Sequence, residues 1–190
     1  LYTDDGQVFL NQNGDLTITF AVSGVHELQI TNCSDVGTQQ DLDKDKLVRI
    51  KQWGSTCSLT GDFAYADADG LLEVTATDSP TITDLNMSSM FENCVNMTSF
   101  NGANWNTTGV VDFERIFNGC QNVTTINVNG WDMSSCNDLQ SAFALCYDLT
   151  EIVGIDNWNI DASLLNMFRT FRLCNSYTEE LDLSNWDVSG

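Results

Sequence analysis

Four stretches of the chain, MSSMFENC at 87–94, FERIFNGC at 113–120, LQSAFALC at 139–146 and MFRTFRLC at 167–174, each end in Phe-x-x-Cys. Their cysteines, Cys94, Cys120, Cys146 and Cys174, fall 26, 26 and 28 residues apart. Trp105, Trp131, Trp158 and Trp186 keep the same beat at 26, 27 and 28, each preceded by Asn or Gly and followed by Asn or Asp. Two independent markers on one period signal an array of stacked coils, because a unit this short cannot bury its own apolar face and must share a core with its neighbours. Phe63 stands 28 residues before Phe91, with Ala66 in the cysteine position and Trp53 opening the unit. That reads as an earlier, degenerate copy and starts the array near Leu47.

Each unit divides into two rhythms. After the cysteine, apolar residues follow a Leu-x-x-Ile-x-Val spacing: Met97, Phe100 and Ala103; Val123, Ile126 and Val128; Leu149, Ile152 and Ile155; then Leu181 and Leu183. This predicts a short strand with alternate side chains turned inward. Before the cysteine, Leu139, Ala142, Phe143 and Cys146 sit at i, i+3, i+4 and i+7, which predicts a two-turn helix over 138–146. The expected fold class is therefore α/β, a leucine-rich-repeat-like solenoid of strand plus short helix coils spanning 43–190. Residues 1–42 do not repeat. Leu16, Ile18, Phe20 and Val22 alternate with polar or small neighbours, Ser23-Gly24 marks a turn, and Leu28 and Ile30 resume the alternation. A β-hairpin that caps the solenoid and a truncated β domain both fit. The far end shows no cap, since Gly190 falls in mid-unit, and the array is expected to continue or to meet another chain there.

Lys and Arg number 7 against 27 Asp and Glu, a formal net charge of −20. So negative a surface repels phosphate backbones and anionic headgroups, which argues against nucleic acid and membrane surfaces as partners. No apolar run approaches the ~20 residues of a membrane helix, so direct membrane insertion is not expected. The chain opens with Leu1 and no charged-then-apolar leader, which fits a removed signal segment or a piece of something longer.

His26 is the single histidine, so Ser-His-Asp and Cys-His machinery lacks its base and zinc would have to rely on cysteine alone. The chain is not expected to be an enzyme. Cysteines at one coil position, stacked in register, have parallel Cβ vectors and suit neither disulfides nor a zinc shell; they are expected to be buried thiols. Cys33 and Cys57 lie outside that ladder and are candidates for a disulfide tying the N-terminal segment to the first coil, leaving Cys136 over. Asp41, Asp43 and Asp45, and Asp67 and Asp69 before Gly70, alternate in a way that suits calcium. The first run lacks the loop glycine and terminal glutamate of a calcium hand, so polar turns are the first reading, with weak Ca²⁺ association the one metal interaction expected and no cofactor. Asn86, Asn96, Asn106 and Asn122 begin Asn-x-Ser/Thr sequons, which matter only along a eukaryotic secretory route.

Stacking turns the outward strand positions into one face: Thr98, Ser99 and Asn101; Thr124, Thr125 and Asn127; Thr150, Glu151 and Val153; Glu180 and Asp182. This is the candidate binding surface, because solenoids commonly bind on such a face, although a plain solvated sheet would read the same way.

The runs DKDKLVRIKQWG at 43–54, LEVTATDSP at 72–80, NMSSMF at 86–91 and LDLSNWDVS at 181–189 resemble the BspA-like family of surface proteins, over about Asp43 to Gly190. The resemblance implies an extracellular, cell-surface or virion-surface location and a role in adhesion or recognition of a protein or glycan on another surface. It brings no catalytic residue set. The rival expectation is a structural element of a fibre, stalk or virion appendage, in which coil ends stack on further copies of the chain.

Overall fold

A computed structural model of the chain describes residues 2–3, 9–10, 16–17, 28–29, 47–54, 57–59, 61, 64–161 and 166–186. The strands are β1 (Tyr2–Thr3), β2 (Phe9–Leu10), β3 (Leu16–Thr17), β4 (Leu28–Gln29), β5 (Arg49–Ile50), β6 (Ser58–Leu59), β7 (Glu73–Val74), β8 (Thr81–Ile82), β9 (Ser99–Asn101), β10 (Thr125–Asn127) and β11 (Glu151–Val153). The sheet β5-β7-β9-β10-β11 is parallel throughout and lies in chain order. Each coil therefore contributes one rung, and Val74, Phe100, Ile126 and Ile152 align as successive inward residues. A second parallel ladder runs elsewhere around the coil, through β6 with β8 and then the bridges Asn86–Asp112–Asp138–Asn166. The molecule is a parallel β-solenoid.

The two aromatic beats of the sequence become two columns. Tyr65, Phe91, Phe117, Phe143 and Phe171 stack with ring centroids 5.4, 5.6, 5.8 and 5.5 Å apart, all within 16° of parallel. Trp105, Trp131, Trp158 and Trp186 stack at 6.2, 6.4 and 5.7 Å. Trp53 meets Trp105 edge-on at 5.4 Å, closing over an intervening coil that has no tryptophan. The degenerate first copy keeps the 26-residue period, so its aromatic is Tyr65 and its cysteine slot is Ala68, fully buried. Phe63, given that slot by a 28-residue spacing, lies outside the described residues.

The helix expected over 138–146 does not form. Leu139, Ala142, Phe143 and Cys146 do face inward and are buried, but Ser141 and Leu145 take left-handed φ values of 56° and 64°. The N–H groups of Leu139, Ser141, Phe143 and Leu145 donate across to the carbonyls of Asn166, Phe168, Thr170 and Arg172 on the next coil. An α-helix with its side chains is about 10–12 Å wide, whereas strand rungs advance about 4.8 Å, so one helix per coil would splay this side of the stack into a curve; here coil-to-coil bonds of 2.8–2.9 Å hold the corner at strand spacing. This corner instead uses i→i+3 turns punctuated every fourth residue by a left-handed residue: Ser89 and Asn93, Arg115 and Gly119, Ser141 and Leu145, Arg169 and Leu173. A four-residue turn unit places side chains inward at nearly the helical rhythm, which is why periodicity alone mistook it. The described residues contain no α-helix, only a 3-10 turn at Ile155–Asn157.

In the N-terminal segment β1 pairs antiparallel with β4, and β2 with β3. Leu16 thus sits opposite Leu10 in the register, and Leu28 opposite Thr3; the rest of the expected 16–22 and 28–30 strands lies outside the described residues. Ser23-Gly24, and with it the expected capping role, lies outside the described residues.

Candidate binding surface

Among the proposed surface residues, Thr98, Thr124 and Thr150 form one exposed column. Each hydroxyl donates to a backbone carbonyl of the preceding coil, those of Leu72, Thr98 and Thr124, at 3.0, 3.1 and 3.0 Å. β-branching suits a strand position, and the hydrogen bond uses up the hydroxyl proton, so toward any further group the oxygen can only accept. Ser99, Thr125 and Glu151 form a second column in strict register. That column continues back through Glu73 to Arg49, which form an ion pair. Neither was among the candidates, although the alternation in Val48-Arg49-Ile50 and Leu72-Glu73-Val74 carried the signal.

Asn101, Asn127 and Val153 make a third, half-buried column. Here the side chains are occupied with holding the stack: Asn127 Nδ2 donates to Asn101 Oδ1 at 3.1 Å, and Asn101 Nδ2 to the Ala76 carbonyl at 2.8 Å. Asparagine ladders of this kind satisfy their own polar groups along the stack, which leaves little for a ligand.

Glu180 and Asp182 do not extend the face as expected. Both are exposed, and no strand is formed over 178–183. The last coil runs at an offset of 28 from its predecessor, from Cys146 to Cys174 and from Trp158 to Trp186, which puts Glu180 in the slot of the buried Ile152. A carboxylate is too costly to bury unpaired, so the strand pairing ends at β11. Leu181 and Leu183 still pack, half-buried, on the core.

The thiol column behaves as a set of small buried groups. Cys94, Cys120, Cys146 and Cys174 donate to the carbonyls of Tyr65, Phe91, Phe117 and Phe143 at 3.2, 3.1, 3.2 and 3.1 Å. Burial pushes the Cys120 and Cys146 thiols well up, and the neighbouring column sulfurs add to the shift. Burial also raises Cys174 to about 11 and Cys136 to about 12. Cys57 is buried, and Cys33 lies outside the described residues, as do His26, Asp41, Asp43 and Asp45. Asp67 Oδ1 accepts from Asn93 Nδ2 at 3.0 Å, an inter-coil bond rather than half of a cation loop. Among the described residues no group of His, Cys, Asp and Glu is placed to hold a metal ion.

The sequon asparagines also serve the coils. Asn96 Nδ2 donates to the Asp69 carbonyl at 2.9 Å, while Asn86 and Asn106 accept from the N–H groups of Ser88 and Thr108. No helix among the described residues is long and apolar enough to cross a membrane.

Residues 85–190, more than half of the chain, match the family described as Mycoplasma protein of unknown function, DUF285. No curated protein and no solved structure matches. The chain belongs to the DUF285 family.

Proposed function

We propose that this DUF285 chain is a recognition module without catalytic activity, displayed outside a cell or on a virion, which contacts a protein or glycan on another surface through its strand face. The observation that carries this reading is the threonine column. Three hydroxyl oxygens, one per coil, are fixed by bonds to the preceding coil and present lone pairs at the rung interval of about 4.8 Å. A surface ordered before it meets its partner loses little side-chain entropy on binding. Its acceptor character suits donor-rich ligands, sugar hydroxyls or amides, more than anions.

The test is a glycan and cell-surface protein panel probed with the chain and with a Thr98→Val, Thr124→Val, Thr150→Val variant, which keeps the shape and removes the oxygens. Binding by the chain that the variant loses is the expected result. Silence across the panel, or equal binding by both, would sink the proposal.

A second reading, a structural element that assembles through coil ends, is favoured by one observation. Phe168 and Leu173 on the last corner remain 58% and 42% exposed. A chain that sediments as a monomer at micromolar concentration argues against assembly with its own copies.

A further inference from the structure

Asn-Gly occurs at three places among the described residues, Asn101-Gly102, Asn118-Gly119 and Asn129-Gly130. Such a pair can cyclise, because glycine has no Cβ to keep the preceding side-chain amide from its backbone nitrogen. The reaction needs two freedoms: the asparagine amide must swing onto the backbone, and the glycine N–H must give up its proton. Stacking withholds the second from two of the pairs, and from Asn101 it withholds both. Gly102 is buried and its N–H donates to the Asn127 carbonyl at 2.8 Å, while Asn101 Nδ2 donates to the Ala76 carbonyl at 2.8 Å and Asn101 Oδ1 accepts from Asn127 Nδ2 at 3.1 Å. Gly119 is buried too, and its N–H donates to the Ala144 carbonyl at 2.8 Å.

Asn129-Gly130 is built differently. Both residues are exposed. Trp131 N–H donates to the Val128 carbonyl at 3.1 Å, closing a four-residue turn in which Gly130 stands third with a φ of 87°. The N–H of that third residue takes no part in the closing bond. Among the described residues neither the Gly130 N–H nor the Asn129 side-chain amide has a hydrogen-bond partner.

We propose that Asn129-Gly130 is a self-modification site, at which the folded chain deamidates through a succinimide without an enzyme. The Gly130 nitrogen bonds to Asn129 Cγ, the Cγ–Nδ2 bond breaks, and Nδ2 leaves as ammonia with the proton that the Gly130 nitrogen gave up. Water then opens the ring at either of its carbonyls. One opening restores the ordinary main chain with an aspartate at position 129, and the other leaves the main chain running through Cβ and Cγ, an isoaspartate. One water is consumed for each ammonia released, and no electrons are transferred. The stack has no room for the second product. A Cβ on Gly154 would overlap the Asn129 backbone, and one on Gly130 would lie 3.3 Å from the Ala103 carbonyl, so the coils on both sides rest directly on this turn. Isoaspartate adds a main-chain carbon between β10 and Trp131, which is stacked between Trp105 and Trp158. Conversion therefore loosens the middle rung of the threonine column together with the tryptophan column. The proposal stands independently of what the strand face binds.

The full chain held at pH 8 for several weeks, with samples digested and mapped by mass, reads each pair separately. Asn129 should convert more than about tenfold faster than Asn101 or Asn118, because those two react only when their coils open. The gap should close in urea, where the coil bonds are gone. The urea midpoint of the aged chain should fall below that of Asn129→Asp, which brings the charge without the extra carbon, while Asn129→Gln, whose longer side chain closes a larger ring more slowly, should hold its midpoint over the same interval. Equal rates at the three pairs in the native chain, or an Asn129 amide that survives there while the urea-treated chain converts, would overturn the assignment. A midpoint loss of the same size in aged Asn129→Gln would overturn the structural consequence.

Discussion

Phe143→Ala tests the ring column where it is most enclosed. Phe143 is fully buried and stacked between Phe117 at 5.8 Å and Phe171 at 5.5 Å, with Trp158 at 6.3 Å. Truncation removes the transfer energy of the ring and both stacking partners, and leaves a cavity, for a total of ~3–5 kcal/mol. The walls cannot close on that cavity without breaking the bonds from Phe117 N–H to the Ala142 carbonyl and from Phe143 N–H to the Thr170 carbonyl, 2.9 Å each, so the upper half of the range is expected. In urea, with a slope of about 2 kcal/mol/M, the midpoint should drop by roughly 2 M. Phe171→Ala, stacked on one side and half-buried, should lose about half as much, and Thr125→Ala on the outer face less than ~1 kcal/mol. Equal midpoints for the Phe143 and Thr125 variants, or a larger loss at Phe171 than at Phe143, would refute the column as the source of stability.

Gly102→Ala should destabilise by ~1–3 kcal/mol in the same denaturation assay, because a Cβ there lies 2.6 Å from the Phe100 ring and 3.2 Å from Trp131, whose Nε1 donates to the Gly102 carbonyl. Iodoacetamide at pH 8 with peptide mapping should leave Cys120 and Cys146 unmodified in the folded chain, since burial keeps both thiols protonated, while half-buried Cys174 reacts before either as pH rises. Asp132 accepts from the Ser134 side chain and N–H, and these bonds lower its pKa. A group depressed in the folded state stabilises above its unfolded pKa and loses that contribution as pH falls through the folded value, so the acid side of a stability-pH profile should flatten in Asp132→Asn.

The period was legible because it rests on large residues that recur: four tryptophans and four Phe-x-x-Cys endings fix the stack, and the columns form as their spacing requires. The corner was not, because hydrophobic rhythm reports which side chains face inward and is silent on where the backbone bonds go. Helix and stacked turn share the inward set Leu139, Ala142, Phe143 and Cys146. Local signals against a helix did exist, in Asn118-Gly119 and Asn93 at positions that take positive φ, since Gly and Asn tolerate that region best. Arg115, Ser141 and Leu145 hide it, for the inter-coil bonds their N–H groups make over-determine a conformation their own residue types disfavour.

The face was read in outline and its chemistry was missed for a related reason. Alternation separates Ser99, Thr125 and Glu151 from the buried Phe100, Ile126 and Ile152, yet alternation cannot tell a side chain that is available from one already engaged along the stack. Asn101 and Asn127 look as free as Thr98 and Thr124 in the sequence, but the amides are half-buried and spend donors along the stack, while the threonines, whose hydroxyls also donate along it, stay exposed with an oxygen able to accept. The last coil shows the same limit. Leu181 and Leu183 mimic a strand, and only the 28-residue offset fixed by Cys174 and Trp186 shows that Glu180 occupies the Ile152 slot. In an array of this kind the repeat register decides more than local pattern: it determines which residue faces the core and which backbone donors find a carbonyl on the neighbouring coil.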